Sequence, residues 1–229
     1  ERVQDLFEEA FQRTLEGDAE NDGFNQLVIK SQMHWRQVAV VRAYCKYLLQ
    51  TNIPFSAAYM ADSITRHPGM SRLLVELFEA RFDPGREKES REDRETAQRR
   101  LKRLLQAIFV TDCESDPVLE DFIDDLVKAR KGGRAGQIEA AMRLFERGLQ
   151  FVTSLDEDRI LFAVYEVINA TLRTSFYQRD ADAAHRAYIS FKIDSRALPD
   201  LPRPRPFREI WVYSPGFEGV HLRGGMIAR

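Results

Sequence analysis

Tyr188-Ile189-Ser190-Phe191-Lys192-Ile193-Asp194-Ser195-Arg196, followed after a proline-rich run by Glu209-Ile210-Trp211-Val212-Tyr213-Ser214-Pro215-Gly216-Phe217-Glu218-Gly219-Val220-His221-Leu222-Arg223-Gly224-Gly225, is where the pattern of this chain changes. Apolar and polar residues alternate through Ile189, Phe191 and Ile193, and again through Ile210, Val212, Val220 and Leu222. A period of two is the signature of half-buried strands. A few strands with open edges are marginal in water and need covering. The expectation is therefore a sheet whose remainder lies beyond Arg229. Arg223-Gly224-Gly225-Met226 reads as a tight hairpin turn. Pro199, Pro202, Pro204 and Pro206, interspersed with arginines, read as a stiff extended spacer or as a ligand for an SH3-like partner.

Upstream the period is helical. Val3, Leu6, Phe7, Ala10, Phe11 and Leu15 share one face of a helix that needs a partner surface and that Gly17 ends. A short helix is predicted over Phe24 to Lys30, and a longer one from Trp35 to about Thr51, apolar nearly all round and so central to a bundle. Ser56 caps the next helix, to Arg66, and His67-Pro68 separates it from another over Gly69 to Phe82, closed by the turn Asp83-Pro84-Gly85. Arg86 to Arg103 is almost wholly charged or polar, a solvated helical face or an arm for another subunit. Further helices are predicted from Asp116-Pro117, from about Ile138 to Phe151 and from Leu155 to Phe176. The fold class is mainly α: a multi-helix bundle followed by a short C-terminal β-strand and hairpin segment. The expected division is a helical unit over residues 1–180, then a linker and strands over residues 181–229.

Composition narrows function by exclusion. With 44% hydrophobic residues in 229, the chain has material for a real core. Its 34 basic and 36 acidic residues leave a formal net charge of −2, which supplies no general attraction to nucleic acid or anionic membrane. A nucleic-acid regulator is thereby disfavoured. There is no apolar run of membrane length and no basic-then-apolar leader. Two cysteines, Cys45 and Cys113, lie far apart in helical pattern without metal spacing, which fits a reducing cytoplasm. The four histidines, His34, His67, His185 and His221, occur singly, and no zinc-like spacing or nucleophile motif accompanies them. Lys128-Ala129-Arg130-Lys131-Gly132-Gly133-Arg134-Ala135-Gly136 reads as a flexible linker or as an anion contact, although the phosphate-loop pattern is incomplete. Ser154-Leu155-Asp156-Glu157-Asp158-Arg159 reads as a capping box rather than a metal site. No catalytic, cofactor or metal set emerges.

Several of these segments carry a resemblance. The run Ser190 to Arg196 (SFKIDSR), the proline ladder P-x-L-P-x-P-R-P and residues 209–225 (EIWVYSPGFEGVHLRGG) resemble the entry to the catalytic domain of the large bacterial NAD-dependent glutamate dehydrogenases. Trp35-Arg36-Gln37-Val38 through Tyr47, Leu73 to Pro84, Ser154 to Leu161 and Ala170 to Gln178 are similar to that family as well, and in family order. The resemblance implies a parent enzyme that deaminates glutamate oxidatively to 2-oxoglutarate and ammonia with NAD. Its nicotinamide-binding fold and its catalytic lysine and aspartate follow the point where this chain ends. It implies an inactive helical region that scaffolds or regulates the catalytic domain, partnered by other domains and subunits of a homo-oligomer. His221 and Arg223 would then lie near the substrate carboxylates; a strand-edge structural role is the competing reading. The alternative to the enzyme reading is an independent helical interaction module.

Overall fold

Helix α3 (Trp35–Leu48) is buried on almost every side, from Arg36 through Leu48, so it needs neighbours all round it. The computed structural model, which describes residues 3–112, 117–199 and 201–225, supplies them as helices on one side and a sheet on the other. Around α3 lie α1 (Val3–Leu15), α2 (Gln26–Lys30), α4 (Ala57–Arg66), α5 (Pro68–Phe82) and α9 (Leu155–Ala170). A second group, α6 (Arg91–Asp112), α7 (Pro117–Ala129) and α8 (Arg134–Leu149), joins through α5, which packs along α8. Gly148 permits that approach, because a Cβ there would collide with the Met70 sulfur. Then come β1 (Thr171–Thr174), β2 (Ile189–Ile193), β3 (Arg208–Ser214) and β4 (Phe217–Arg223), an antiparallel sheet in the order β1-β2-β3-β4.

Local chemistry sets most helix ends. Ser56 Oγ accepts from the Tyr59 amide, and Pro68 begins α5 where its missing N–H is harmless. His34 caps α3 in a reciprocal box with Gln37, a role that its singleton status in the sequence does not suggest. Gly17, at φ +81°, follows the end of α1. Ser154 caps α9 as expected, but the box is only half formed: the Glu157 carboxylate turns away to Arg66 (2.5 Å) and His67 (2.7 Å). Two arginines cap helix C-termini, where cations are favoured. Arg81 donates to the carbonyls of Asn169 and Thr171 at the end of α9, and Arg134 to those of Arg81 and Asp83 at the end of α5.

The structure departs from the sequence expectations at several points. Helical spacing through Ile168 and Leu172 extends the last helix to Phe176, yet α9 stops at Ala170 and Thr171–Thr174 form β1. Thr171 is fully buried, its hydroxyl bonded to Tyr44, while Leu172 sits in a bulge and is half exposed. The phase of β3 is also reversed. Cross-strand partners share a face, and Phe191 opposes Trp211 while Ile193 opposes Glu209, so Glu209, Trp211 and Tyr213 point inward and Ile210 and Val212 outward. On α1 only Leu6 and Ala10 of the expected stripe are buried; Phe7, Phe11 and Leu15 are exposed. The tight hairpin turn of the sheet is Pro215-Gly216, between paired Ser214 and Phe217; the turn expected at Arg223 to Met226 runs outside the described residues, as do Cys113 and Asp116.

Two buried carboxylates organise this core with opposite pH signs. Glu76, wholly buried on α5, lies 2.8 Å from Arg86, 3.7 Å from Arg130 and 3.9 Å from Arg72. Burial alone would push its carboxyl up, but the three arginines outweigh it and bring it down to about 2. Arg86 therefore leaves the solvated stretch expected from its neighbours and lies in the interior. Among the described residues Glu209 has only the Tyr47 hydroxyl against its carboxylate, and burial holds its carboxyl above the ordinary range.

Glu76→Gln is expected to lower the unfolding free energy by about 3 kcal/mol at neutral pH, since it strands buried arginines. Because the folded value lies below the unfolded one, the deficit should be complete above the usual carboxylate range and shrink as pH falls toward about 2. Glu209→Gln keeps an acceptor for Tyr47 but cannot ionise. It is expected to stabilise the fold at neutral pH, with the gain vanishing in acid, below the range where an unfolded glutamate titrates. Urea denaturation across pH checks both, and a Glu209→Gln variant less stable than wild type at pH 7 would contradict the second.

Candidate functional site

The sheet is fastened to α3 by aromatic side chains with polar ends. Trp211 is fully buried; its ring meets Tyr47 edge-on at 5.9 Å and its Nε1 donates to the Ala43 carbonyl at 2.9 Å. That carbonyl lies within α3, where an oxygen has a second lone pair to offer. Tyr44 stacks obliquely on Phe191 at 4.5 Å and donates to the Thr171 hydroxyl, which itself donates to Val167 O. Phe78 of α5 packs edge-on against both Phe191 and Phe176. Arg42, buried, grips Asp22 through two nitrogens at 2.6 and 2.8 Å, fixing residues 20–25 over the same helix. Lys46 adds Glu20 at 2.7 Å and Glu218 of β4 at 3.4 Å.

A cleft of about 360 Å³ opens along this seam. Its walls are the end of α1, the start of α3, the loop 179–187 and the turn between β3 and β4. At its base lies Arg36, 8% exposed, wedged between the rings of Trp35 (5.7 Å) and Phe176 (4.7 Å) and donating to Phe176 O at 2.7 Å. Among the described residues the Arg36 Nε, like that of several other arginines, is buried without a hydrogen-bond partner. Arg179, His185 and Arg186 overhang it from the loop, which is held by a bridge between Arg179 and His185 and by Asp180 accepting from the Asp182 and Ala184 amides. Asp18 is the one carboxylate among the lining residues, and it is paired with Arg13 at 3.1 Å. Burial, reinforced by Arg179, brings the Arg36 guanidinium down to about 10; burial and then Arg36, Arg179 and His34 hold His185 below its ordinary value.

His221 and Arg223 stand elsewhere. Both are exposed on β4, opposite Ile210 and Arg208, and neither lines the cleft. The basic run after α7 is neither a free linker nor an open anion cradle: Arg130 lies against Glu76 and Glu89, and Arg134 binds Glu87 and two carbonyls. Among the described residues no group of three or more His, Cys, Asp or Glu is placed to hold a metal ion, and no helix is long and apolar enough to cross a membrane. The cleft residues carry no sequence signal as a set, because Arg36 and the loop over it are some 140 positions apart.

Residues 19–84 match a family described as glutamate dehydrogenase, helical motif 3, and residues 144–229 match the bacterial NAD-glutamate dehydrogenase catalytic domain. The second match takes in α9 and the four strands. The NAD-specific glutamate dehydrogenase of Pseudomonas aeruginosa is 37% identical over 229 residues, 100% of this chain and 12% of that protein. Those of Halomonas elongata and Mycobacterium tuberculosis are 37% and 35% identical over 97% of this chain and 11% of theirs. The chain thus spans about an eighth of the length of the relatives it matches. Along that span it is similar to one segment of the large bacterial NAD-specific glutamate dehydrogenases, running from helical motif 3 into the part described as the catalytic domain.

Proposed function

We propose that this chain is the helical support and opening sheet of the catalytic domain in an NAD-dependent glutamate dehydrogenase, an enzyme converting L-glutamate to 2-oxoglutarate and ammonia with NAD as hydride acceptor. The observation that carries this reading is the continuous seam: α3, within the helical-motif match, and β2–β3, within the catalytic-domain match, share one aromatic core through Tyr44, Tyr47, Phe191 and Trp211. A sheet anchored in this way is held rigidly, which is what a reacting geometry requires of its scaffold. The division of labour is a non-catalytic region over residues 1–180 with the linker and first strands over residues 181–229. Lysine and aspartate chemistry and the nicotinamide site belong to other segments. NAD, glutamate and other subunits of a cytoplasmic homo-oligomer are then the partners. On the outward face of β4, His221 and Arg223 are the basic side chains presented toward the substrate carboxylates.

The competing reading, an independent helical interaction module, draws on the exposed Phe7, Phe11 and Leu15 of α1. Two measurements separate them. The purified chain, given L-glutamate and NAD, is expected to form no NADH, and turnover would refute a non-catalytic role. In the complete enzyme, Trp211→Ala is expected to lower kcat at least about tenfold, as misplacement of a reacting geometry does. An unchanged kcat in a folded Trp211→Ala enzyme favours the module, and an unchanged KM for glutamate in Arg223→Ala removes that residue from the substrate.

A further inference from the structure

We propose that the cleft over Arg36 is a binding site for a small oxyanion bearing carboxylate or phosphate groups. Among the described residues the other buried arginines meet an acid: Arg42 has Asp22 at 2.6 Å, and Arg86 has Glu76 and Glu79 at 2.8 Å. Arg36 meets no acid among the described residues: it donates to one carbonyl and lies between two aromatic rings. A buried cation without an acid is costly, and the usual resolution is a paired anion. The groups facing it add to the charge instead of relieving it.

Arg179 and Arg186 reach the same space, and among the described residues they bond only to neutral oxygens, Ala183 O and the Tyr188 hydroxyl. With Arg13 and His185 the lining carries four arginines and one histidine against Asp18, which is already engaged by Arg13. Guanidinium forks match carboxylate and phosphate oxygens in two-point contacts, and at 360 Å³ the cavity falls in the range of small-ligand sites. Arg36 is preorganised by its rings, whereas Arg179 and Arg186 lie on an exposed loop along the rim of the cleft. This inference concerns a site away from β4 and does not depend on the dehydrogenase reading.

Calorimetric titration of the full chain with inorganic phosphate and, separately, with succinate tests it. The expected result is one saturable site with a dissociation constant at or below about 1 mM for at least one of the two anions. The one that binds more tightly identifies the ligand group. The double variant Arg179→Gln/Arg186→Gln, both exposed positions and so compatible with folding, should weaken binding at least about tenfold. Lys128→Gln, a basic position outside the cleft, should leave it unchanged. If neither anion saturates the chain by about 10 mM, or if Lys128→Gln weakens binding as much as the double variant does, there is no site at Arg36.

Discussion

The fit of β2 and β3 onto α3 is the contact on which the remaining architecture depends. Trp211, Phe191, Tyr44 and Tyr47 are each almost completely buried there, and three of the four carry a polar atom that finds a partner within the seam. Large aromatic groups contribute the burial, roughly 1.5–3 kcal/mol for a side chain of this kind. Their polar ends limit how the surfaces can slide, because a buried donor left unmade costs about 1–3 kcal/mol. The result is an interface with one register. A purely aliphatic interface of the same area would resist separation without fixing position so tightly.

That constraint explains why α3 is buried all round while most other helices keep a wet face. One side of α3 serves α4, α5 and α9, and the other serves the sheet. The charged residues of the helix are consequently forced to find internal partners. Arg42 finds Asp22 and Lys46 finds Glu20, whereas Arg36, nearer the N-terminus, reaches the edge of the seam and finds none of that kind. The same logic operates on α5, where Glu76 is drawn inside and gathers Arg72, Arg86 and Arg130 from three parts of the chain.

Sequence pattern reveals the parts of this fold that are decided locally. The positions of α1, α3, α4 and α5, the Ser56 and Ser154 caps and the inward set Ile189, Phe191 and Ile193 all follow from periodicity, capping and proline placement. The failures lie where a distant partner decides. In β3 the alternation permits two phases: Ile210 and Val212 inward, or Trp211 and Tyr213 inward with Glu209. Hydropathy favours the first, but the Tyr47 hydroxyl and the cross-strand position of Phe191 select the second. Arg86 reads as solvent-exposed beside Glu87, Lys88 and Glu89, and only the buried Glu76 explains its place inside. Thr171 ends a helix that its spacing would extend, because its hydroxyl bridges Tyr44 and Val167. The family resemblance places the segment without settling any of these points.

The cleft is the least legible feature for the same reason, and its position makes it consequential. Its base belongs to α3, one wall to the turn joining β3 to β4, and its rim to the loop that connects β1 to β2. An anion seated there would touch groups on both sides of the seam at once. Binding to a joint between two packed elements stabilises the arrangement in which they are docked, by an amount set only by the difference in affinity between docked and loosened states. Cationic groups that repel one another in the empty cleft oppose docking; the same groups around an oxyanion favour it. With the proposed anion bound, the joint that holds the sheet in register is therefore also a place where a small charged molecule gains leverage over it.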